Sequence, residues 1–496
     1  MRFNLHFNIF VAFILLGMTT LSGCTTNPAT GEQSFTGFMS VEDEQRVGAE
    51  EHPKMLKAFG GTYSDAELQA YVEAIGQKLA EQSEIPNQRF QFFVLDDDTV
   101  NAFALPGGYV YVSRGLVTLA EDEAELAGVI GHEIGHVAAR HSAQRYSSQM
   151  ATQIGVTAVS IIGAVLGAPS GVSNIVSLGA QAALQSYSRS QELEADRLGI
   201  RYMSRAGYNT DALGDFFAKL DAQTTIAAAM EGKARANDSI MSTHPRTTDR
   251  IQQAKSLAAD AMPAKPVRAR GPFLTRLDGV MFGPDPKEGF MKGDTFIHPD
   301  IGFSFDFPPG CTVKNGDTEV FGQDGKGTEI IFSMANADVA SGYASLTEYM
   351  RGPWAKESGF QPDNLERLDI NGYEAVSGTS RGETKFGTRD LRFLAIRTSR
   401  TQIFRFVFLT DPNVTSAMSV PLRKTTYSFK LLNPADIGQV RPPVIRVVDV
   451  KPGATVSGFA SRMPLGKFNE DWFRALNLNA MAKGLKIGEK VKVVAD

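Results

Sequence analysis

The chain has 496 residues, 43% of them hydrophobic, which is enough for two to four domains with ordinary buried cores. Its formal net charge is −5 and its pI is near 5.9. No basic field therefore points to nucleic acid, and the acidic excess is too small for a disordered, solvating chain.

In chain order, Met1 and Arg2 form a minimal positive region and Phe10 to Met18 an apolar stretch too short to span a bilayer comfortably; Leu21-Ser22-Gly23-Cys24 follows. This is the layout of an export signal over residues 1–23. It resembles the bacterial lipoprotein box, in which the chain is cut before a cysteine that is then acylated. The resemblance implies a lipid anchor on Cys24, and Thr25, a residue other than aspartate, implies an outer-membrane destination on the periplasmic side of the cell envelope. Cys311 then stands alone, so packing and not a disulfide must hold the fold, with that thiol buried as a small hydrophobe. Residues 24–40, rich in Thr, Gly, Ser, Asn and Pro, suit a tether.

Ser64-Asp65-Ala66-Glu67 opens a helix whose Leu68, Tyr71, Val72, Ile75 and Leu79 share one face. Gln91 to Leu95 and Tyr109 to Ser113 read as strands, with Pro106-Gly107-Gly108 turning between them. Glu121 to about Met150 reads as one proline-free helical stretch. Ile154 to Leu184 is apolar and glycine-rich, which fits two closely packed helices; a membrane hairpin is the alternative, and Ala168-Pro169-Ser170-Gly171 cuts it into short pieces. Gln185 to Leu257 is helical again, broken near Gly207 and His244-Pro245.

Ala261 to Pro272 is rich in Pro and Ala and opens a linker over 261–295. Beyond it the period changes to two, in Phe303, Phe305 and Phe307 and again in Phe404, Phe406 and Phe408. Helical patches around Leu346 to Trp354 and Thr415 to Arg423 make residues 296–440 an α+β domain. Arg441-Pro442-Pro443 then precedes a small α/β unit, 441–496. The expected fold class is multidomain: a mostly α unit over 41–260 with a small sheet, the α+β domain, and the C-terminal module.

Chemistry concentrates in Gly131-His132-Glu133-Ile134-Gly135-His136. On a helix, His132 and His136 share a face and can grip one ion, while Glu133 is angled toward the remaining coordination space. Leu126, Val129, Ile130 and Val137 supply the apolar stripe that buries such a helix. Zinc, one per chain, suits two imidazoles, with Glu133 as general base, but a catalytic site needs a third protein ligand from elsewhere. Glu192 and Asp196, four residues apart, are candidates for a ligand and a supporting carboxylate; acidic helix pairs are also commonly solvated, and Glu194 lies on another face. His141, five residues past His136, falls off the ligand face, in a supporting or a surface position.

Gly131 to His141 together with Ser188-Arg189 through Ala195-Asp196 resembles metallopeptidase family 48, which includes the CAAX prenyl protease, HtpX and Oma-type proteases. Asn27-Pro28 and the Glu44 to Gly48 region resemble its envelope lipoprotein branch, of the BepA type. The resemblance covers roughly residues 25–260. It implies that Glu192 is the third ligand and Asp196 its support, as in a gluzincin. It also implies that Asn101, Ala102, Phe103, Ala104, Gly107 and Gly108 belong to the segment leading to a substrate-binding edge strand. Ser242-Thr243-His244-Pro245 resembles the His-Pro signature of the envelope members, making His244 a candidate fourth, regulatory ligand; a loop histidine capping a helix is the alternative. Arg250 is a candidate oxyanion donor, or else an ion-pair partner of Asp249 or a helix end.

Downstream, Ile297 to Pro308 resembles the start of PsbP-like domains, with His298 at a strand end. Lys451-Pro452-Gly453-Ala454-Thr455-Val456 and Leu485-Lys486-Ile487-Gly488 resemble a divergent LysM module, implying peptidoglycan as a partner. The function implied is a zinc endopeptidase acting on misfolded envelope polypeptides. The alternatives are a chaperone-like holdase or a cell-wall adaptor with a latched or idle site, which Glu133→Gln complementation would separate from the enzyme.

Overall fold

A computed structural model describes residues 24–152, 186–231, 244, 248–316, 318–482 and 484–495. The expected signal peptide and the apolar segment Ile154 to Leu184 lie outside the described residues. Among the described residues, no helix is long and apolar enough to cross a membrane.

The described residues begin with a hairpin, β1 (Cys24–Thr26) against β2 (Gln33–Phe35). Residues 24–40 are no free tether. Asn27 and Ala29 are buried, and their polar composition serves bonds to the body of the protein, detailed below. Helix α1 (Val41–Ala58) starts at a capping box between Ser40 and Asp43. It covers one face of a three-stranded sheet of β3 (Gln91–Leu95), β4 (Ala102–Leu105) and β5 (Tyr109–Ser113), burying Met55, Leu95, Phe103, Leu105 and Tyr111. Helix α2 (Ala66–Ala80) brings Leu68, Val72, Ile75 and Leu79 to the main core.

The strand order is β3-β5-β4, with β3 parallel and β4 antiparallel to β5. Pro106-Gly107-Gly108 therefore turns from β4 to β5, and not from β3 to β5 as the strand reading expects. Ala-Phe-Ala-Leu lacks the β-branched signal that marks its neighbours. Both glycines have positive φ, 84° and 95°, and a side chain there would strike Gln45 or Arg89 backbone. The two sheet edges differ. The Gln69 amide donates to the Phe92 carbonyl (2.7 Å) and accepts from the Val94 N–H (2.9 Å), closing the β3 edge; β4 forms the other edge.

A short helix, α3 (Arg114–Leu119), precedes α4 (Glu123–Ala138), capped by Asp122. The stretch expected to run on to Met150 breaks at Ala139–Arg140 and resumes over 141–152. Arg140 has φ 55°, which costs a side-chain-bearing residue about 1–2 kcal/mol. Its guanidinium recovers that cost by bonding Glu44 (2.9 Å) and the Met39 carbonyl (2.8 Å), charged bonds worth about 1.5–3 kcal/mol each. Helices α5 (Arg189–Arg205), α6 (Asp211–Glu231) and α7 (Thr248–Asp260) complete this layer.

The joint expected over 261–295 is largely folded. Its helix α8 (Arg270–Leu277) buries Phe273, Leu274 and Leu277 in the main core. The chain then leaves and returns side by side: Gly279 N–H bonds the Ile445 carbonyl, Ile445 N–H the Val280 carbonyl, and Phe282 N–H the Pro443 carbonyl, at 2.7–2.8 Å. The β-rich domain between is thus an insertion. It holds a four-stranded antiparallel sheet, β6 (Phe290–Lys292), β7 (Thr295–His298), β8 (Phe303–Asp306) and β16 (Lys430–Leu431), in the order β16-β8-β7-β6. Its seven-stranded antiparallel sheet takes β9 (Thr312–Asn315), β10 (Glu319–Gln323), β11 (Thr328–Met334), β12 (Asp363–Ile370), β13 (Tyr373–Thr384), β14 (Gly387–Ser399) and β15 (Gln402–Thr410), ordered β12-β13-β14-β15-β11-β10-β9. Phe303, Phe305, Phe404, Phe406 and Phe408 meet in its core with Phe429, beside helix α9 (Thr415–Ser428). Cys311 is half-buried there and its thiol is pushed up to about 12 by burial.

The C-terminal module pairs β17 (Val444–Asp449) with β18 (Lys490–Ala495) around helix α10 (Asn469–Leu476). It is not a separate unit. Ile445, Phe473, Leu476, Val491 and Val494 lie in one continuous core with Leu68, Leu119, Leu126 and Phe216.

Candidate metal centre

The site depends on how closely α4 and α5 approach. Gly131 and Gly135 on one helix face Gly199 and Ala195 on the other, and a Cβ on Gly199 would lie 2.8 Å from the His132 nitrogen. That contact turns the α5 face carrying Glu192 and Asp196 onto the face carrying His132 and His136. All four side chains are buried.

His132, His136, Glu192 and His244 each offer an atom within 4.8 Å of the others. His132 Nε2 stands 3.0 Å from His136 Nε2 and 3.2 Å from His244 Nδ1; Glu192 Oε1 lies 3.4 Å from His136 Nε2 and 2.9 Å from His244 Nδ1. A further partner stands on the opposite side of each ring. His132 Nδ1 lies 2.9 Å from Asp196 Oδ1, and His136 Nδ1 lies 2.8 Å from His141 Nδ1. With protons on those Nδ1 atoms the two Nε2 lone pairs face each other, an arrangement that a cation between them satisfies. Donors about 2.0–2.1 Å from a tetrahedral zinc stand roughly 3.3 Å apart, so the residues present fit that ion.

Burial lowers His136 well below the usual imidazole value and so keeps it neutral, the form that ligates. Burial acts on Glu192 in the opposite sense, but the imidazoles, His244 foremost, outweigh it and hold the carboxyl well below the ordinary range. Asp196 is likewise held down against its burial by His132 and Arg250. Glu133 is different. Burial raises its carboxyl, neither oxygen has a hydrogen-bond partner among the described residues, and His244 Nε2 is 3.7 Å from Oε1.

Arg250, the candidate oxyanion donor, points its guanidinium at the acids of the ligand group. Its Nε and Nη2 each lie 2.8 Å from the Asp196 carboxylate, and its Nη1 pairs with Glu192, so the guanidinium clamps Glu192 and Asp196 together. Of the six residues expected on the substrate segment, Ala102 and Ala104 present backbone to the β4 edge with no partner among the described residues. Phe103 and Leu105 face Tyr111 and Tyr109 in the hydrogen-bonded register set by Asn101 and Ser113, so the N–H and C=O groups of Ala102 and Ala104 point the other way. Gly107 and Gly108 serve the turn. The Phe103 side chain lies in the cluster beneath α1. A pocket beside β4 is lined by Ala104, Leu105, His136, Arg140 and Tyr187.

Three features escaped the sequence reading. Tyr187 stacks on His136 with ring centroids 3.6 Å apart, and the Arg145 guanidinium lies over the Tyr187 ring, 3.6 Å from its centroid. Glu194, on another face than the ligand, reaches His141 Nε2 at 3.4 Å. Asn27 reaches Glu194 at 2.9 Å across 167 positions, a pairing that no local spacing encodes.

A helix-borne HExxH pair, a carboxylate from a second helix and an unpartnered buried glutamate beside them are the parts of a metallopeptidase domain. The comparisons agree: residues 66–258 match Peptidase family M48, and this part of the chain is a domain of that family. The putative beta-barrel assembly-enhancing protease of Vibrio cholerae is 31% identical over 237 residues, 47% of this chain and 48% of that protein. The beta-barrel assembly-enhancing protease of Escherichia coli K12 is 28% identical over 231 residues, 45% and 46%. The mitochondrial metalloendopeptidase OMA1 of Schizosaccharomyces pombe is 29% identical over 239 residues, 47% and 66%. The chain thus spans about half the length of the first two. The solution structure of cyanobacterial PsbP from Synechocystis aligns with 29% of this chain and 94% of its own at 14% identity and a TM-score of 0.22.

Proposed function

We propose that the chain is a zinc-dependent endopeptidase of the bacterial cell envelope, lipid-anchored at Cys24, that removes misfolded or misassembled envelope proteins. The observation that carries this is the convergence of His132, His136 and Glu192 with Glu133 poised beside them. Zinc held by the three ligands supplies Lewis-acid polarisation of the peptide carbonyl and a water acidified to a pKa of about 7. Glu133 removes a proton from the attacking water, which its raised proton affinity favours, and then returns that proton to the more basic departing amine. Asp196 and Arg250 fix His132 and Glu192 so that neither ligand turns away.

An extended substrate pairs with Ala102 and Ala104 along β4, which gives affinity through main-chain bonds and so favours unfolded clients over particular side chains. His244, with Nδ1 among the ligand atoms and Nε2 toward Glu133, acts as a regulatory latch over the fourth position. Peptidoglycan is the partner proposed for the C-terminal module, at a groove lined by Arg446, Asp449, Lys451, Thr455, Phe459 and Arg462; a sacculus pull-down with the full chain tests it.

The central test pairs metal analysis with casein cleavage. Wild type should hold one zinc and cleave, and Glu133→Gln should hold zinc with cleavage reduced about 10²–10⁴-fold. An active Glu133→Gln protein, or a folded wild type without zinc, refutes the assignment.

A further inference from the structure

The catalytic parts do not use everything buried around them. His141, Glu194 and the β1–β2 hairpin lie behind His136, and Arg140, between His136 and His141, reaches Thr25 of the same hairpin.

We infer that His141 and Glu194 are positioning residues that orient the metal ligand His136, and that the loop Asn27 to Thr30 of the amino-terminal hairpin is the fixed end of that relay. The inference rests on the zinc reading above and concerns what tunes the site. With Nε2 of His136 turned to the ligand cluster, its Nδ1 must carry the proton, and the atom 2.8 Å away is Nδ1 of His141. His141 therefore accepts at Nδ1 and carries its own proton at Nε2, which faces Glu194 Oε2 at 3.4 Å. The other oxygen of Glu194 accepts from Asn27 Nδ2 at 2.9 Å. Each donor in this series meets one acceptor, so a single set of tautomers satisfies it from end to end.

Asn27 is held in turn. Its Oδ1 accepts from the Ala29 N–H at 2.9 Å, and Arg201 reaches the Ala29 carbonyl at 3.4 Å. Arg140 approaches Thr25 of β1 and Thr36, the residue just after β2, at 3.4 Å each, tying the hairpin to the turn between His136 and His141. His132 has its own support in Asp196 and Arg250, so each imidazole ligand is backed by a separate carboxylate. A carboxylate behind a histidine ligand raises its basicity and locks its ring, and losing such support costs about 10–100-fold in metal affinity.

The test measures zinc affinity by chelator competition on the full chain, together with the visible absorption of the cobalt-substituted protein. Expected are a fall of about 10–100-fold for His141→Leu, a smaller fall for His141→Asn, whose Oδ1 restores an acceptor near the Nδ1 position, and an intermediate fall for Glu194→Gln and Asn27→Asp. Altered cobalt bands should accompany each fall, while circular dichroism of the metal-free proteins stays at wild type. Glu194→Gln is nearly isosteric, so it decides the matter if His141→Leu misfolds. Wild-type zinc affinity and cobalt spectra in folded Glu194→Gln and Asn27→Asp overturn the relay alone; a wild type that takes up no zinc overturns the relay and the zinc reading together.

Discussion

Lys492, in the last strand, places its Nζ 2.6 Å from the carbonyl oxygen of Ala120, just before the HExxH helix. The carbonyls of Thr118 and Leu119 lie at 2.7 and 3.0 Å. Three acceptors match the three hydrogens of an ammonium; burial pushes Lys492 down to about 7, and the negative charges of Glu121 and Glu125 oppose it. Lys219 pairs with both acids, and Asn479 of the same module bonds them too. Lys492→Met breaks a buried network from one side and should cost about 3–5 kcal/mol, read as a lower denaturant midpoint. A chain ending at residue 440 should fail to form the protease core, seen as insolubility or rapid proteolysis. An unshifted midpoint, or a folded truncation with bound metal, contradicts this reading of the module.

What the sequence could reveal follows from how local each signal is. The HExxH pair is legible because one helical turn fixes both imidazoles, and Phe303 to Phe307 because a strand alternates by two. Glu192 was one of several acids until the family resemblance singled it out, since its approach depends on Gly131 and Gly135 meeting Ala195 and Gly199. Strand β4 was hidden by its Ala-Phe-Ala-Leu composition. The break at Arg140 carries no Gly or Pro, and only the distant Glu44 and Met39 explain it. Phe273, Leu274 and Leu277 already hinted that 261–295 is folded, but proline content outweighed them. The shared core of the two ends of the chain is a long-range contact that periodicity does not report.

Ala104 offers a direct test of the edge-strand reading. Its N–H points away from β5, so Ala104→Pro removes a group that the sheet does not use. Thermal stability should change little, whereas KM for an unfolded substrate should rise about tenfold with zinc content unchanged, the effect of losing roughly one main-chain hydrogen bond. A normal KM in a folded Ala104→Pro protein places the substrate elsewhere.

Glu44 predicts a pH effect on stability away from the metal. Burial raises its carboxyl to about 7, with Arg140 only partly opposing. The folded state then holds a proton that the unfolded chain releases near its ordinary carboxylate value, so this contribution to stability is fully present at low pH. It declines as pH rises toward about 7 and is absent above it, a change of about 3 kcal/mol at most. Relative to wild type, Glu44→Gln should flatten the difference in melting temperature between pH 5 and pH 8. An identical pH slope in both proteins means that Glu44 is ionised throughout.

His244 decides whether the centre is closed at rest. Its Nδ1 lies 2.9 Å from Glu192 Oε1 and 3.2 Å from His132 Nε2, where a substrate carbonyl and its water must gather, while its Nε2 faces Glu133. Replacing it removes no member of the set His132, His136 and Glu192, so zinc should be retained in His244→Ala. Cleavage should rise, by roughly tenfold if the closed arrangement is preferred by about 1.4 kcal/mol, because the apparent rate scales with the fraction of open sites. The gain should appear in casein cleavage by His244→Ala and vanish in the Glu133→Gln/His244→Ala double variant. Equal or lower cleavage in a zinc-loaded His244→Ala protein would show that this imidazole supports the site and does not restrain it.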